Sequence, residues 1–563
     1  MNNATPRTLA LICATATLLL RAAAAYPQDL RLSGLDALVA KTRQRESASG
    51  FDRARLYGTS RNLTAIADRW PQVRAILVKS IGAAGVETSR TADERFLRGK
   101  AISSSTLSVS RFSGFTQSET ATAWCGSNVL TAFNDTASEI ESIAAGGGIS
   151  AIGFSVSSNR GASFQYIGAP PVGGNYDQEI MGNPSVVCTD AYNFYYSGLW
   201  DDSLSNITGV VVGKSTDGGR TFSAPSVAVT KDLGTHFVDH DWIAADMTNP
   251  GHLYIVYNDI DYSGNVCGTD PNSGSIIARY AIELVSSSDG GASWSGPPVV
   301  VEQVCADAAS PYAMVSGPQA TVGPQGQVYV AWEAAGENGA PMTSREIRIA
   351  KSIDGGASFG APTVVAQVTP VGDGADLQGF IRAAEFPAIA IGKGAKNEGF
   401  VYLAWDDASS DAPDVLSTTS AYGFADVKFS ASEDGGSTWS TPLRVNNGVE
   451  GGGAAPTDQF SPAIGSDKSG RIGICFYDRR RDPNNFLIDR ECAKSVDGGI
   501  SWHNSKITPV NFPSLVGQDV LVASDYMGEY DSVASDALNQ SAGLIDSYAS
   551  NAGGHPAVMT NKY

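Results

Sequence analysis

An eight-residue pattern, S-x-D-x-G-x-[ST]-[WF], recurs six times along the 563-residue chain, and a turn repeated at this frequency restricts the fold more than any other feature of the sequence. The copies read SSNRGASF (157–164, with Asn159 in the acid position), STDGGRTF (215–222), SSDGGASW (287–294), SIDGGASF (352–359), SEDGGSTW (432–439) and SVDGGISW (495–502). Ser and Asp side chains bond nearby backbone amides, the glycines accept positive φ, and the closing aromatic anchors the turn on neighbouring apolar groups. Each copy is fully accounted for as a turn, so the pattern marks a fold and says nothing of chemistry. The acid positions 159, 217, 289, 354, 434 and 497 lie 58, 72, 65, 80 and 63 residues apart, which is the spacing of one structural unit repeated.

Between the turns the chain reads as strands. Each unit holds a run that ends in an aromatic and then an acid or amide: LTAFND (130–135), YYSGLWDD (195–202), YIVYND (254–259), YVAWE (329–333), YLAWDD (402–407) and ICFYD (474–478). A loop, a third strand, the repeated turn and a fourth strand follow in every case, which describes a four-stranded blade. One further unit begins after position 497, with EYDSVAS, GLIDSYA and AVMTNKY as three strands, and lacks its outer one. STLSVSRF (105–112) precedes the first complete unit and would supply that strand, closing the ring and removing an open sheet edge. The expected fold is all-β: a seven-bladed β-propeller over 101–563, with six blades and a C-terminal β tail as the alternative.

The first hundred residues differ. Arg7, the apolar run LALICATATLLL (9–20) and the small residues 22–25 form a signal peptide over 1–25, so the chain is expected to be secreted, extracellular or periplasmic. Residues 26–100 carry apolar side chains at helical spacing in LDALVAKTRQR and in LTAIADRWPQVRAILVKSI, and read as two amphipathic helices broken at Pro71, forming a pro-segment or a cap. This segment is basic, with 14 basic and 8 acidic residues, whereas the net charge of the whole chain is −19. The remainder is therefore strongly acidic, which argues against nucleic acid or an anionic membrane as partner. No later run is long and apolar enough to span a bilayer, and a monomer is expected. Six cysteines remain after the leader, and the blade register pairs them as Cys125 with Cys188, Cys267 with Cys305 and Cys475 with Cys492, out of the fifteen connectivities open to six.

Chemistry is expected at the channel mouth on the face opposite the repeated turns, where the loops are longer than closure needs. Acids at the ends of the second strands (Asp135, Asp201, Asp259, Asp261, Glu333, Asp406, Asp407, Asp478) are repeat features and read first as caps. Glu385 with Arg382, and Glu529 with Tyr526, break the repeat and are the candidate acid, base or nucleophile groups that glycoside hydrolysis requires. His236 and His240, two of only five histidines, fall in THFVDHDW (235–242) beside Asp241 and Trp242, read as a between-blade loop. A histidine titrates near neutrality and would accept a proton in hydrolysis or in β-elimination from a uronic acid. Arg382 and Arg479 are the candidate substrate clamp, because a guanidinium fixes a carboxylate in orientation as well as charge. No cofactor is required by this chemistry; a structural Ca²⁺ is the cation that clustered loop carboxylates would take.

The turn pattern is the Asp box, and residues 101–563 resemble the Asp-box (BNR-repeat) propellers of the sialidase superfamily. That resemblance implies a six-bladed enzyme that holds a substrate carboxylate with three arginines, attacks with a Tyr and Glu pair and protonates with an Asp. Arg345, Arg382 and Arg479 would then form the clamp, and Tyr526 with Glu529 the nucleophile pair. The chain departs from the pattern where an R-I-P motif should precede the first blade: TQSET stands at 116–120, and this counts against sialic acid as substrate. DHDWIAAD, YDRRRDPNN and SDYMGEY are similar to a secreted branch labelled sialidase-like or glycosyl hydrolase. Two function classes follow: a secreted glycoside hydrolase, with a polysaccharide lyase as its variant, or a propeller that binds a glycan or protein without catalysis.

Overall fold

The computed structural model describes residues 106–108, 117–145, 147–173, 177–340, 344–371, 377–379, 381–408, 424–446, 457–514, 526–551 and 557–563. The signal peptide expected over 1–25, the helices expected within 26–100 and residues 105 and 109–112 of the expected closing strand lie outside the described residues.

Seven sheets of four antiparallel strands succeed one another around a central channel, the first of the four lying innermost in each, and in blade 2 the short strand Ile149–Ser150 adds a parallel pair beside Gln178–Cys188. The inner strands of blades 1 to 7 are Gln117–Cys125, Gln178–Cys188, His236–Ala245, Met314–Val322, Ala388–Ile391, Gln459–Ser466 and Ser532–Ser535. Contact between the strands Gln117–Cys125 and Ser532–Ser535 closes the ring. The second strands, such as Val328–Ala335 and Val401–Asp407, are buried along their whole length because the sheets pack face to face on both sides. Trp332 and Trp405 in these strands are completely buried, and truncating either to Ala would cost about 3–5 kcal/mol.

The seventh blade has the composition expected. Ser532–Ser535, Leu544–Ser550 and Ala557–Lys562 form its three inner strands, and Thr106–Ser108 is the outer one, with Thr106 opposite Asn561 and Ser108 opposite Met559. The six-bladed alternative is thereby discarded. All three expected disulfides form, Cys125–Cys188 tying blade 1 to blade 2, Cys267–Cys305 within blade 3 and Cys475–Cys492 across two neighbouring strands of blade 6.

The six repeated turns connect the third and fourth strands of blades 1 to 6. In blade 3, Ser287 Oγ donates to Asp289 Oδ1 at 2.8 Å and accepts from the Gly291 amide at 2.9 Å, while Asp289 also accepts from the Ser293 amide and hydroxyl. In blade 1 Asn159 Oδ1 accepts from Ser157 Oγ and the Ser163 amide in the same way, while its Nδ2 donates to Ser163 Oγ. These bonds to the ionised side chain hold Asp289, Asp354, Asp434 and Asp497 down to about 2.

One element escaped the sequence reading. The second-to-third strand connection of blade 1 contains a helix, Thr136–Ala145, whose first turn is capped by Asp135: its Oδ1 accepts the Ala137 amide at 3.2 Å and its Oδ2 the Ser138 hydroxyl at 2.9 Å.

Candidate active site

Strands alternate direction within a blade, so the N-terminal ends of the inner strands and the C-terminal ends of the second strands share the face opposite the repeated turns. At this face five inner strands break register at the same height: between Ser118 and Ala121, Gly182 and Ser185, Asp239 and Trp242, Ser316 and Gln319, and Phe460 and Ala463. The first residue of each bulge adopts left-handed backbone geometry: Glu119 (φ 51°), Asn183 (53°), His240 (48°), Gly317 (63°) and Ser461 (53°). Second strands of the preceding blade cap three of these bulges, through Asn134 to the Asn183 amide, Asn258 to the Gly317 amide and Asp406 to the Ser461 amide. The polar residues that end those strands are therefore architectural, as the repeat reading requires.

Gly adopts such a backbone freely and Asn at little cost, whereas side chains such as Glu, His and Ser pay about 1–2 kcal/mol. In blades 1 and 3 the bulge turns Glu119 and His240 toward one cluster. His240 Nε2 lies 3.3 Å from Glu529 Oε2, and Arg382 Nη2 lies 2.9 Å from Glu529 Oε1. Asn134 Nδ2 donates to Glu119 Oε2 at 2.7 Å and to the Tyr526 hydroxyl oxygen at 2.9 Å. Tyr526 is itself hydrogen-bonded to Glu119, with the Arg382 guanidinium over its ring at 5.4 Å. Asn183 supports Asp239 from blade 2 at 3.1 Å, and the Phe386 ring meets the His240 imidazole edge to face at 4.7 Å. Arg382 keeps 16% of its side chain exposed and forms the open edge; Glu119, Asp239, His240, Asp241 and Tyr526 are buried.

Burial, with repulsion from Glu529, pushes the Glu119 carboxyl up to about 7, against the hydrogen bond from Tyr526 and the charge of His240. Burial also drives Asp241 well above the carboxylate range and Tyr526 and Tyr530 well above the usual phenol range. For His240 burial pulls the other way, yet Asp239, Glu529 and Glu119 together hold the imidazole above its ordinary value. The cluster thus contains a carboxyl that titrates near neutrality, hydrogen-bonded to a phenol, and a histidine biased toward its protonated form.

The structure brings together Tyr526, Glu529, His240, Arg382 and Asp241, and sets Trp242 at the waist of the channel, where its ring meets Tyr530 at 5.7 Å. Other candidates lie elsewhere. Residues 236–242 belong to the inner strand of blade 3, not to a between-blade loop. His236 Nδ1 is bonded to Asp259 Oδ1 at 2.8 Å, in a separate group with Lys231, Arg279 and Glu283. Glu385 is paired with Arg345, which also binds Glu333 at 3.0 Å, and accepts the Val371 amide. Arg479 is fully buried, donating to Asp458 at 3.1 Å and to the Gln378 carbonyl at 2.6 Å. Both guanidinium groups are consumed by the fold, so among the described residues the three-arginine clamp reduces to Arg382. Tyr526 pairs with Glu119, not with Glu529. Glu119 went unread in the sequence because it sits in TQSET, a segment noticed only for the motif it lacks.

Among the described residues, the one group of three His, Cys, Asp or Glu side chains with metal-ligand spacing is Cys475, Cys492 and Asp546, whose two sulfurs are spent in a disulfide.

No protein-family model matches the sequence, and no curated protein matches it. Solved structures are similar in fold. A Hadza microbial sialidase aligns with TM-score 0.38 and 13% identity over 73% of each chain. A Penicillium chrysogenum α-L-arabinanase complexed with arabinobiose aligns with TM-score 0.45 and 11% identity over 82% of this chain and 97% of its own. An ulvan lyase, described as a new family of polysaccharide lyase, aligns with TM-score 0.35 and 13% identity over 69% of this chain and 78% of its own.

Proposed function

We propose that the chain is a glycoside hydrolase that acts on a glycan at the channel mouth, with Tyr526 as nucleophile and Glu119 as its base. The observation that carries this reading is the hydrogen bond between the Tyr526 hydroxyl and a carboxyl lifted to about 7, itself held by a strained left-handed backbone. A phenol is a weak nucleophile until its proton has somewhere to go. As the Tyr526 oxygen attacks the anomeric carbon, its proton passes to Glu119, and the departing sugar oxygen takes a proton from the His240 and Glu529 pair. Water then cleaves the glycosyl-tyrosine, giving its proton back to that pair, while Glu119 returns one to the leaving phenolate. Arg382, at the open edge, orients a polar or anionic group of the substrate. A single guanidinium suits a neutral or weakly acidic sugar better than one anchored through its carboxylate by three.

A lyase would need His240 to accept a proton from the sugar ring, and the surrounding carboxylates favour an imidazole that already carries one. Hydrolysis is the better fit. Three disulfides support action outside the cell, and no helix among the described residues is long and apolar enough to cross a membrane. The test is incubation with a panel of neutral and uronic-acid-containing polysaccharides, following reducing ends and unsaturated-uronate absorbance together. New reducing ends without that absorbance, abolished by Tyr526→Phe and Glu119→Gln, are expected. Absorbance would establish the lyase, and glycan retention without cleavage the binding module.

A further inference from the structure

The other end of the channel is a separate feature. On the face that carries the repeated turns it opens into a cavity of about 460 Å³. All seven blades contribute to its lining, and the aliphatic Val186, Ile243, Ala320, Ile389, Ile464 and Val533 are among the lining residues. Trp242 is among its lining residues and its ring meets Tyr530. A volume of this size, whose aliphatic lining is interrupted by Thr122, Thr321, Lys393, Ser466 and Ser535, is that of a small-molecule site with a few polar anchors.

One amine enters it. Lys393 stands just beyond the inner strand of blade 5 and reaches past blade 6 to blade 7, where Nζ donates to Ser535 Oγ at 2.7 Å. That partner is a neutral hydroxyl. The nearest acids are engaged with the backbone: Asp536 accepts the amides of Gly126, Leu538 and Ser541, and Asp467 those of Ser469, Arg471 and Gly543. Glu398, the acid on the cavity wall, is exposed and therefore screened by water. Asp536 and Asp467 attract Lys393 through space, yet no acid forms a direct ion pair with it among the described residues, and an ammonium bonded to a neutral hydroxyl at a cavity wall keeps the capacity to hold an anion.

We propose that this cavity binds a small monoanion with an apolar body, an aromatic or branched aliphatic carboxylate or sulfonate. Its head is held by Lys393 Nζ and the Ser535 hydroxyl, and its body lies on the aliphatic wall beneath Trp242. Burial pushes the Lys393 amine down to about 8, against the pull of Asp536 and Asp467, so an anion that restores its charge gains affinity below that pH. The site is independent of the hydrolase reading, since none of these residues belongs to the cluster around Tyr526.

The probe is 8-anilinonaphthalene-1-sulfonate, titrated into the full-length protein by fluorescence at pH 7. Saturable binding with one site per chain is expected, lost at least tenfold in Lys393→Met and retained in Lys393→Arg, which keeps the charge. Unchanged melting in both variants shows that folding is not the cause. A second readout is reductive methylation with formaldehyde and cyanoborohydride followed by peptide mapping, in which bound probe should protect Lys393. Equal binding by Lys393→Met, equal affinity for the uncharged N-phenyl-1-naphthylamine, or labelling of Lys393 unaffected by the probe would each overturn the proposal.

Discussion

Replacing Glu119 by Gln is expected to abolish turnover and, at alkaline pH, to make the protein more stable. Burial is the main reason its carboxyl titrates at about 7 in place of 4.5. An acid whose folded-state value is raised binds its proton more tightly in the native state than in the unfolded chain. The native state therefore bears no penalty from Glu119 below about pH 4.5, an increasing one as the pH climbs toward 7, and a constant one above it. At about 1.4 kcal/mol for each tenfold change, the full penalty is about 3 kcal/mol. The glutamine escapes it but forfeits one hydrogen bond, because its amide nitrogen must face either Asn134 Nδ2 or the Glu529 amide, a loss of about 1 kcal/mol. The variant should thus be about 1 kcal/mol less stable than the parent near pH 4.5 and about 2 kcal/mol more stable near pH 8.5. For a domain of this size each kcal/mol moves Tm by roughly 1–2 °C, so the difference in Tm should swing by roughly 3–6 °C between those conditions. Thermal melts of parent and variant across a pH series at constant ionic strength measure it. A difference that stays constant with pH would refute the reasoning, because Glu119 would then carry no displaced proton.

Arg382→Ala should lower kcat/KM by about a hundredfold on a cleaved substrate and lower Tm as well, since it leaves the buried Glu529 with His240 as its cationic partner; Arg382→Lys, which keeps the charge, should recover Tm and not kcat/KM, and equal recovery of both would make the residue a strut. Arg479→Met should cost about 3–5 kcal/mol in urea unfolding by leaving Asp458 buried and uncompensated, and a loss below about 1 kcal/mol would contradict a structural role. The turn acids Asp289, Asp354, Asp434 and Asp497 have depressed values, so the stability they contribute is present above the ordinary carboxylate range and disappears as pH falls toward about 2. Changing all four to Asn should therefore flatten the acid limb of the melting curve, and an unaltered limb would place acid lability elsewhere. Under the loop-closure model, breaking Cys125–Cys188, with a separation of 63, should destabilise more than breaking Cys475–Cys492, with a separation of 17, by about 1 kcal/mol; Cys→Ala pairs compared in urea test the order.

The fold was legible because its information is local and repeated. Each turn is specified by its own Ser, Asp and glycines, as the bonds of Ser287 and Asp289 show, and six copies at regular spacing leave one topology. Thr106–Ser108 was locatable by the same arithmetic, since a blade missing its outer strand requires one from elsewhere in the chain. The disulfides followed from the register, because Cys475 and Cys492 fall opposite each other once the second and third strands of blade 6 are aligned. The helix Thr136–Ala145 did not follow, as it is an insertion in one unit with no counterpart in the others.

The site was only half legible, for a reason that the bulges make concrete. Tyr526 and Glu529 are near in sequence, so their pairing was the natural reading, but Glu529 is drawn to Arg382 and His240 while Tyr526 finds Glu119, a partner 407 positions earlier that ring closure brings alongside. Strand pattern cannot reveal this, because the direction of the Glu119 side chain is set by a left-handed residue in a two-residue bulge, and a bulge reverses the alternation on which such patterns rest. The five bulges are equivalent by architecture and differ in what fills them. Asn183 and Gly317 suit the backbone, whereas Glu119, His240 and Ser461 strain it. Convergence of two bulge side chains on one buried cluster, and not backbone strain, which Ser461 shares, is what separates a site from a repeat, and pH gives the separation a direct check. Glu119→Gly should stabilise the fold more at high pH than at low, because the displaced proton belongs to that bulge, while Ser461→Gly, which relieves backbone strain alone, should change stability by about 1 kcal/mol at every pH. Equal effects at the two positions would mean that the bulges are architecture alone.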